Sequence, residues 1–201
     1  TSGWGENGGP SWDAALIQVA YHVYKYTGDD RVLRDNIGAI RKYLRYARTR
    51  INENGLFSYG LGDWVQPGRP ASKPTTPKEI TNSLSLLDSC NKTLLIMDAI
   101  KYYEDREFVL EFMGYIKKRF REIYVQDGAI KQPFDTQTAV SMAIYEGIFD
   151  SDELPAALNG ERHKADYLPD GRLIITFRSI ERCPEKNKVY IEKGHKGRGW
   201  Y

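Results

Sequence analysis

The sequence predicts a mainly α fold of paired helices followed by a short β segment, and three observations predict it. Apolar residues recur at helical spacing in five windows between Ser11 and Gly147. The first two windows are joined by a turn so tight that they must form a helical hairpin, and the third and fourth by a short acidic turn. After Asp150 the pattern changes to short β-branched and alternating runs.

Residues Thr1 to Pro10 are rich in glycine and read as a loop. Ser11 reads as an N-cap before Trp12, and Ala15, Leu16, Val19, Ala20 and Val23 follow on a helical face. Thr27-Gly28 stops this helix and Asp29 or Asp30 starts the next. The second helix carries Val32, Leu33, Ile37, Ile40, Leu44 and Ala47 on one face and fades near Ile51. A long connection runs from Asn52 to about Lys78, with Gly55, Gly60, Gly62, Pro67, Pro70, Pro74 and Pro77. Connections of this length are uncommon in compact domains and usually functional. Phe57, Tyr59 and Trp64 set it apart from a solvated linker, and Pro77 stands at the first turn of the helix that follows. The third helix places Leu84, Leu87, Cys90, Leu94, Met97 and Ile100 inward and ends near Tyr103. Past Glu104-Asp105 the fourth carries Phe108, Phe112, Ile116, Phe120 and Ile123. After an Asp127-Gly128 turn, Gln137-Thr138-Ala139 opens a fifth, through Val140, Ala143 and Ile144 to Gly147. Residues 1–150 are thus expected as a helical domain, 151–165 as a linker and 166–201 as the start of a β module. Within that module Arg172 to Phe177 and Lys188 to Glu192 read as strands.

Lys and Arg number 29 against 27 Asp and Glu, a formal charge of +2. That balance argues against a dedicated nucleic-acid binder, which needs a basic stripe. Cys90 and Cys183 are the two cysteines, so no disulfide framework holds the chain and two free thiols are expected. No run of about 18 apolar residues is present, so no membrane span is expected, and no signal peptide is visible. The chain begins with Thr1 and closes on Gly-Trp-Tyr201, and both ends read as cut.

Two constellations stand out: Trp12-Asp13 beside the glycine-rich loop, and Gly60-Leu61-Gly62-Asp63-Trp64 in the long connection. A Trp face covers the apolar side of a pyranose, a carboxylate accepts hydrogen bonds from adjacent hydroxyls, and glycines let backbone approach a ligand. Against this, Trp12 at a first helical turn also suits a core and Asp13 the helix dipole. A loop Trp flanked by glycines, such as Trp64, has no obvious packing duty. His22, His163 and His195 lack paired metal-ligand spacing, so neither a metal nor a cofactor is expected. Lys193 to Arg198 is basic and glycine-rich but precedes no helix, and reads as a solvated loop.

In order, Gly8-Gly9-Pro10-Ser11-Trp12-Asp13-Ala14-Ala15, Tyr26-Thr27-Gly28-Asp29, Tyr59 to Trp64, Thr76-Pro77-Lys78, Gln137-Thr138-Ala139 and Gly147 resemble the bacterial α-L-rhamnosidase catalytic domain across residues 3–150. The resemblance implies a partial (α/α)6 barrel, a rhamnose-containing carbohydrate as partner, and a rhamnose pocket lined by Trp12 and Trp64 with Asp13 and Asp63 contributing. It implies a structural role for Gln137; the sequence does not fix the compartment, a periplasmic or extracellular one being favoured. One departure concerns the first motif: the family usually has a Gly between its Trp and Asp, whereas Trp12 and Asp13 are adjacent. In helical geometry that shift turns a side chain by about 100°. Family members resemble inverting glycosidases, whose acid and base stand about 6.5–9.5 Å apart. The resemblance places the acid upstream of Thr1 and the base beyond the fifth helix, so no catalytic residue is assigned within the chain. Residues 166–201 resemble the start of a sialidase-like β-propeller, the alternative being a β insertion within the barrel. Three functions follow in order of preference: the sugar-holding part of a rhamnosidase, a non-catalytic carbohydrate-binding helical module, and a helical solenoid for protein partners.

Overall fold

A computed structural model describes residues 8–62 and 76–158, together with the backbone of 163–167, 173–177 and 188–191. The chain divides into two compact units, 1–124 and 125–201.

The first unit holds α1 (Pro10–Asp13), α2 (Ala15–Thr27), α3 (Arg31–Thr49), α4 (Lys78–Ile100) and α5 (Arg106–Tyr124). Gly28 closes α2 in the left-handed conformation, φ 73°, and its N–H caps the Tyr24 carbonyl. Asp29 then accepts from the Arg31 N–H at 3.0 Å, so α3 begins at once and the hairpin is tight. Helix α4 is the centre of the unit and packs against α1, α2, α3 and α5. It is buried on nearly every side: Leu84, Leu87, Cys90 and Met97 face inward as the spacing predicts, and Leu86 and Ile96 are equally buried on other faces. A helix so enclosed must satisfy its polar side chains internally. Ser89 and Thr93 donate to the carbonyls one turn back, and Asp88 accepts from Gln18 of α2 while pairing with Lys92.

Helix α3 meets the start of α5 through a ladder of arginines. Arg41 lies over Tyr102 and pairs with Asp105 at 2.7 Å; Arg45 lies over Phe108 and also binds Asp105. Arg48 stacks 4.3 Å above the Tyr115 ring.

Two readings of the first helix are corrected. Ser11 is not an N-cap: α1 begins at Pro10, its cap is Gly9, and the Ser11 hydroxyl is engaged elsewhere. Val19 and Val23 are exposed rather than inward, because Ala14, Ile17 and Ala20 supply the packed face. The helix is apolar on both sides, so apolar recurrence did not single out the packed one.

In the second unit, β1 (Val125–Gln126) and β2 (Ala129–Ile130) pair across Asp127-Gly128, both at positive φ, the geometry of a tight hairpin turn. Thr136 caps α6 (Gln137–Tyr145), its hydroxyl accepting from the Ala139 N–H at 3.2 Å. Helix α7 (Leu154–Leu158) follows, then an antiparallel sheet ordered β3 (His163–Tyr167), β4 (Leu173–Phe177), β5 (Lys188–Ile191). The stretch 151–165 therefore holds a short helix and the first residues of β3.

Candidate functional site

Two loops meet over the N-terminal half of α4. One is Gly8–Gly9, which leads into α1; the other is Tyr59–Gly62, from the long connection. Gly9 stands at φ 71° and Gly60 at φ 108°. A Cβ on Gly9 would lie 2.5 Å from the Tyr59 carbonyl oxygen, and one on Gly60 would lie 2.5 Å from the Gly9 Cα. Backbone touches backbone here, a contact that only glycine permits. The Leu61 N–H adds a bond to the Gly8 carbonyl at 3.3 Å.

Beneath this contact lies Asn82, wholly buried. Its Nδ2 donates to the Tyr59 carbonyl at 2.8 Å, and its Oδ1 accepts from the Ser11 hydroxyl at 3.1 Å. Ser11 Oγ also lies 3.0 Å from Ser85 Oγ. Since Ser11 gives its proton to Asn82, it accepts from Ser85, and the donor order runs Ser85, Ser11, Asn82, Tyr59. The same part of α4 anchors the rest of the loop. Glu79 accepts from the Asn52 and Asn54 amides and, at 2.7 Å, from the Tyr124 hydroxyl. Ser83 accepts from the Phe57 N–H at 2.9 Å, and Gly62 lies so close to Lys78 that a Cβ would stand 2.9 Å from its Cγ.

The site residues expected from sequence divide in two. Trp12 is 54% exposed, so it is not a core residue. Asp13 is half-buried against Gly8, where a Cβ would stand 3.3 Å from its Oδ1. Burial pushes its carboxyl above the usual carboxylate range. Trp12 and Asp13 both lie within α1, so helical geometry holds between them, and the turn at Ala14 comes only after the pair. Asp63 and Trp64 lie outside the described residues; the chain reaches them directly from Gly62. The Tyr43 hydroxyl of α3 is buried without a hydrogen bond among the described residues. Its pKa is raised, first by burial and then by the Asp13 charge. Among the described residues no group of three His, Cys, Asp or Glu could hold a metal, and no helix is long and apolar enough to cross a membrane.

Sequence reasoning missed Asn82. Its signal is the polar run Thr81-Asn82-Ser83 between Ile80 and Leu84, two residues at apolar helical spacing. Buried polar residues need partners, and here Asn82 and Ser83 find theirs in the backbone of the long connection and in Ser11, while Thr81 bonds its own helix.

Residues 1–166 match the bacterial alpha-L-rhamnosidase 6 hairpin glycosidase domain. An alpha-L-rhamnosidase of Alteromonas sp. (strain LOR) is 25% identical over 150 residues, which are 72% of this chain and 15% of that protein. Among solved structures, the alpha-L-rhamnosidase from Dictyoglumus thermophilum superposes with a TM-score of 0.68 at 24% identity, covering 75% of this chain and 17% of the other. The Streptomyces avermitilis alpha-L-rhamnosidase complexed with L-rhamnose gives 0.62 at 24% identity, covering 74% and 14%. The chain thus spans about a seventh of the relatives it matches.

Proposed function

The chain belongs to the bacterial alpha-L-rhamnosidase six-hairpin glycosidase domain family, and from that membership we propose that it is the sugar-holding part of a glycosidase that removes terminal α-linked L-rhamnose from poly- or oligosaccharides. One observation carries the reading. The two loops that bear the family's tryptophan and aspartate motifs are pressed together, glycine on glycine, over Asn82. Trp12 is 54% exposed, which suits an indole that meets the apolar side of a pyranose, and Asp13 brings a half-buried carboxylate beside it. Asp63 and Trp64, next in sequence after Gly62, are proposed to complete the pocket.

Cleavage by inversion needs one carboxylic acid at the leaving oxygen and one carboxylate on a water, about 6.5–9.5 Å apart. Asp13 is read as a ligand for sugar hydroxyls and not as either of these. In the proposed division of labour these residues orient the rhamnose ring, and carboxylates elsewhere in the parent protein perform the chemistry. Residues 166–201 are read as the start of a separate β module.

The test is a titration of the chain with L-rhamnose and with an aryl α-L-rhamnoside, followed by tryptophan emission and by release of the aryl group. Binding of both without release is expected. A chain that binds neither would remove the proposal.

A further inference from the structure

We propose that Asn82 is a positioning residue: its amide fixes the register of the two loops, and through it the place of Trp12 and Asp13 for the sugar. The inference rests on the sugar-holding reading above and adds to it a residue outside the recognised motifs.

The amide suits this duty in a way no other side chain of its size does. It is a donor at one end and an acceptor at the other, and here one end serves the long connection and the other helix α1. The Tyr59 carbonyl needs a donor because it is packed against Gly9, where no Cβ fits. Ser11 sits one residue before Trp12 and two before Asp13, so its bond to Asn82 Oδ1 sets the rotation of the short helix α1. That helix has no side-chain cap of its own and packs on α4, and the Ser11–Asn82 bond adds a directional tie to that packing. Asn82 sits on the most enclosed helix of the unit, a rigid base for both loops. Positioning held this way is sensitive, since a small displacement of a binding group loses much of its effect.

Three variants separate positioning from mere support of the fold. Asn82→Leu removes both bonds, and Ser11→Ala removes one from an exposed residue and leaves the fold intact. Asn82→Asp is the informative one. Its carboxylate still accepts from Ser11 but repels the Tyr59 carbonyl, whereas its protonated form donates as the amide does. Burial favours that neutral form. The ionisable groups on the elements around it include Asp13 on α1, Tyr43 on α3, Lys78, Glu79, Asp88 and Lys92 on α4, and Tyr59 on the loop. All are present in the wild type, whose own pH profile is subtracted.

Amide exchange at Leu61 and rhamnose affinity are measured together, from about pH 7.5 to about pH 5. Asn82→Leu, and Asn82→Asp at the higher pH, are expected to speed Leu61 exchange and weaken rhamnose binding by about tenfold. Only Asn82→Asp is expected to recover on acidification. Should Asn82→Leu fail to fold, Ser11→Ala and Asn82→Asp carry the same comparison. Unchanged Leu61 exchange overturns the clamp; faster exchange with unchanged affinity, or no acid recovery in Asn82→Asp, overturns the positioning role. A wild-type chain that binds no rhamnose overturns the sugar reading itself, a failure visible without any variant.

Discussion

Helices α2 and α3 form one hairpin, yet they treat solvent in opposite ways. In α3 the buried residues Leu33, Ile37, Ile40, Leu44 and Ala47 make one stripe, and its exposed positions include Arg31, Arg34, Lys42 and Arg45. In α2 the packed residues are Ile17 and Ala20, and the opposite side carries Val19, Val23 and Tyr26, exposed by 60%, 40% and 81%, in line with Trp12. A helix with apolar residues on two faces normally buries both. Helix α3 is therefore finished against water, and α2 presents an unfinished seam. The family description supplies the reason: this unit contributes two hairpins to an architecture of six. The seam is where a neighbouring hairpin is expected to pack.

The comparison is broken most directly by equal insults to the two helices. Leu44→Ala, on the finished side, removes a wholly buried side chain and is expected to cost about 2–5 kcal/mol by urea denaturation. Val19→Ala, on the seam, is expected to change stability by less than about 0.5 kcal/mol. Comparable losses at both sites would mean that the α2 face is already packed.

Next in size is Asp105, which ties Arg41 and Arg45 of α3 to the start of α5. Arg45 first, and then Arg41, hold its carboxyl below the usual carboxylate range. A lowered native pKa contributes stability that is complete above the unfolded value, about pH 4, and lost as pH falls through the native one. Asp105→Asn is expected to cost about 1 kcal/mol at neutral pH and to flatten the acid limb of the stability profile. Asparagine also tolerates the positive φ of 66° found there, so the backbone should not confound the result. A variant with an unchanged acid limb would show that the arginine ladder does not finish this side of α3.

Val19→Lys with Val23→Lys sharpens the other half of the contrast. The wild-type chain is expected to self-associate with rising concentration through its exposed seam, and the double variant to remain monomeric in sedimentation, with stability within about 0.5 kcal/mol of wild type. Association unaffected by the two lysines would place the sticky surface elsewhere.

The same contrast explains what could be read in the sequence. The stripe of α3 was legible because its polar face is charged and leaves one solution. The Gly28 stop, the Asp127-Gly128 turn and the start of α6 were legible because each rests on local backbone chemistry. The packed face of α2 was not, since apolar residues on two sides give the period no preference. Asn82 was not legible either: its partners, Ser11 and Tyr59, are 71 and 23 residues away, and no local pattern encodes a bond across that distance. Of the candidate site, the sequence marked the glycines as places of close approach, but that they approach one another, and that Asn82 holds them together, became visible only in three dimensions.

The smallest effect is expected at the edge of the seam, at Asp13, and its sign is the informative part. Burial raises this carboxyl, so the folded chain holds its proton more tightly than the unfolded chain does. As pH rises from about 4, the unfolded value, through the raised native one, stability is lost, and above that window the loss is constant. Asp13→Asn removes the titration. At neutral pH it is expected to be slightly more stable than wild type, by no more than about 0.5 kcal/mol because Asp13 keeps much of its contact with water. The two proteins should converge in acid, and thermal melts across the pH range decide it. A stabilising Asp13→Asn that also weakens rhamnose binding would mean that the chain tolerates a desolvated carboxylate for the ligand's sake. A destabilising one would make Asp13 a structural residue of α1, and the hydroxyl-binding role would pass from it.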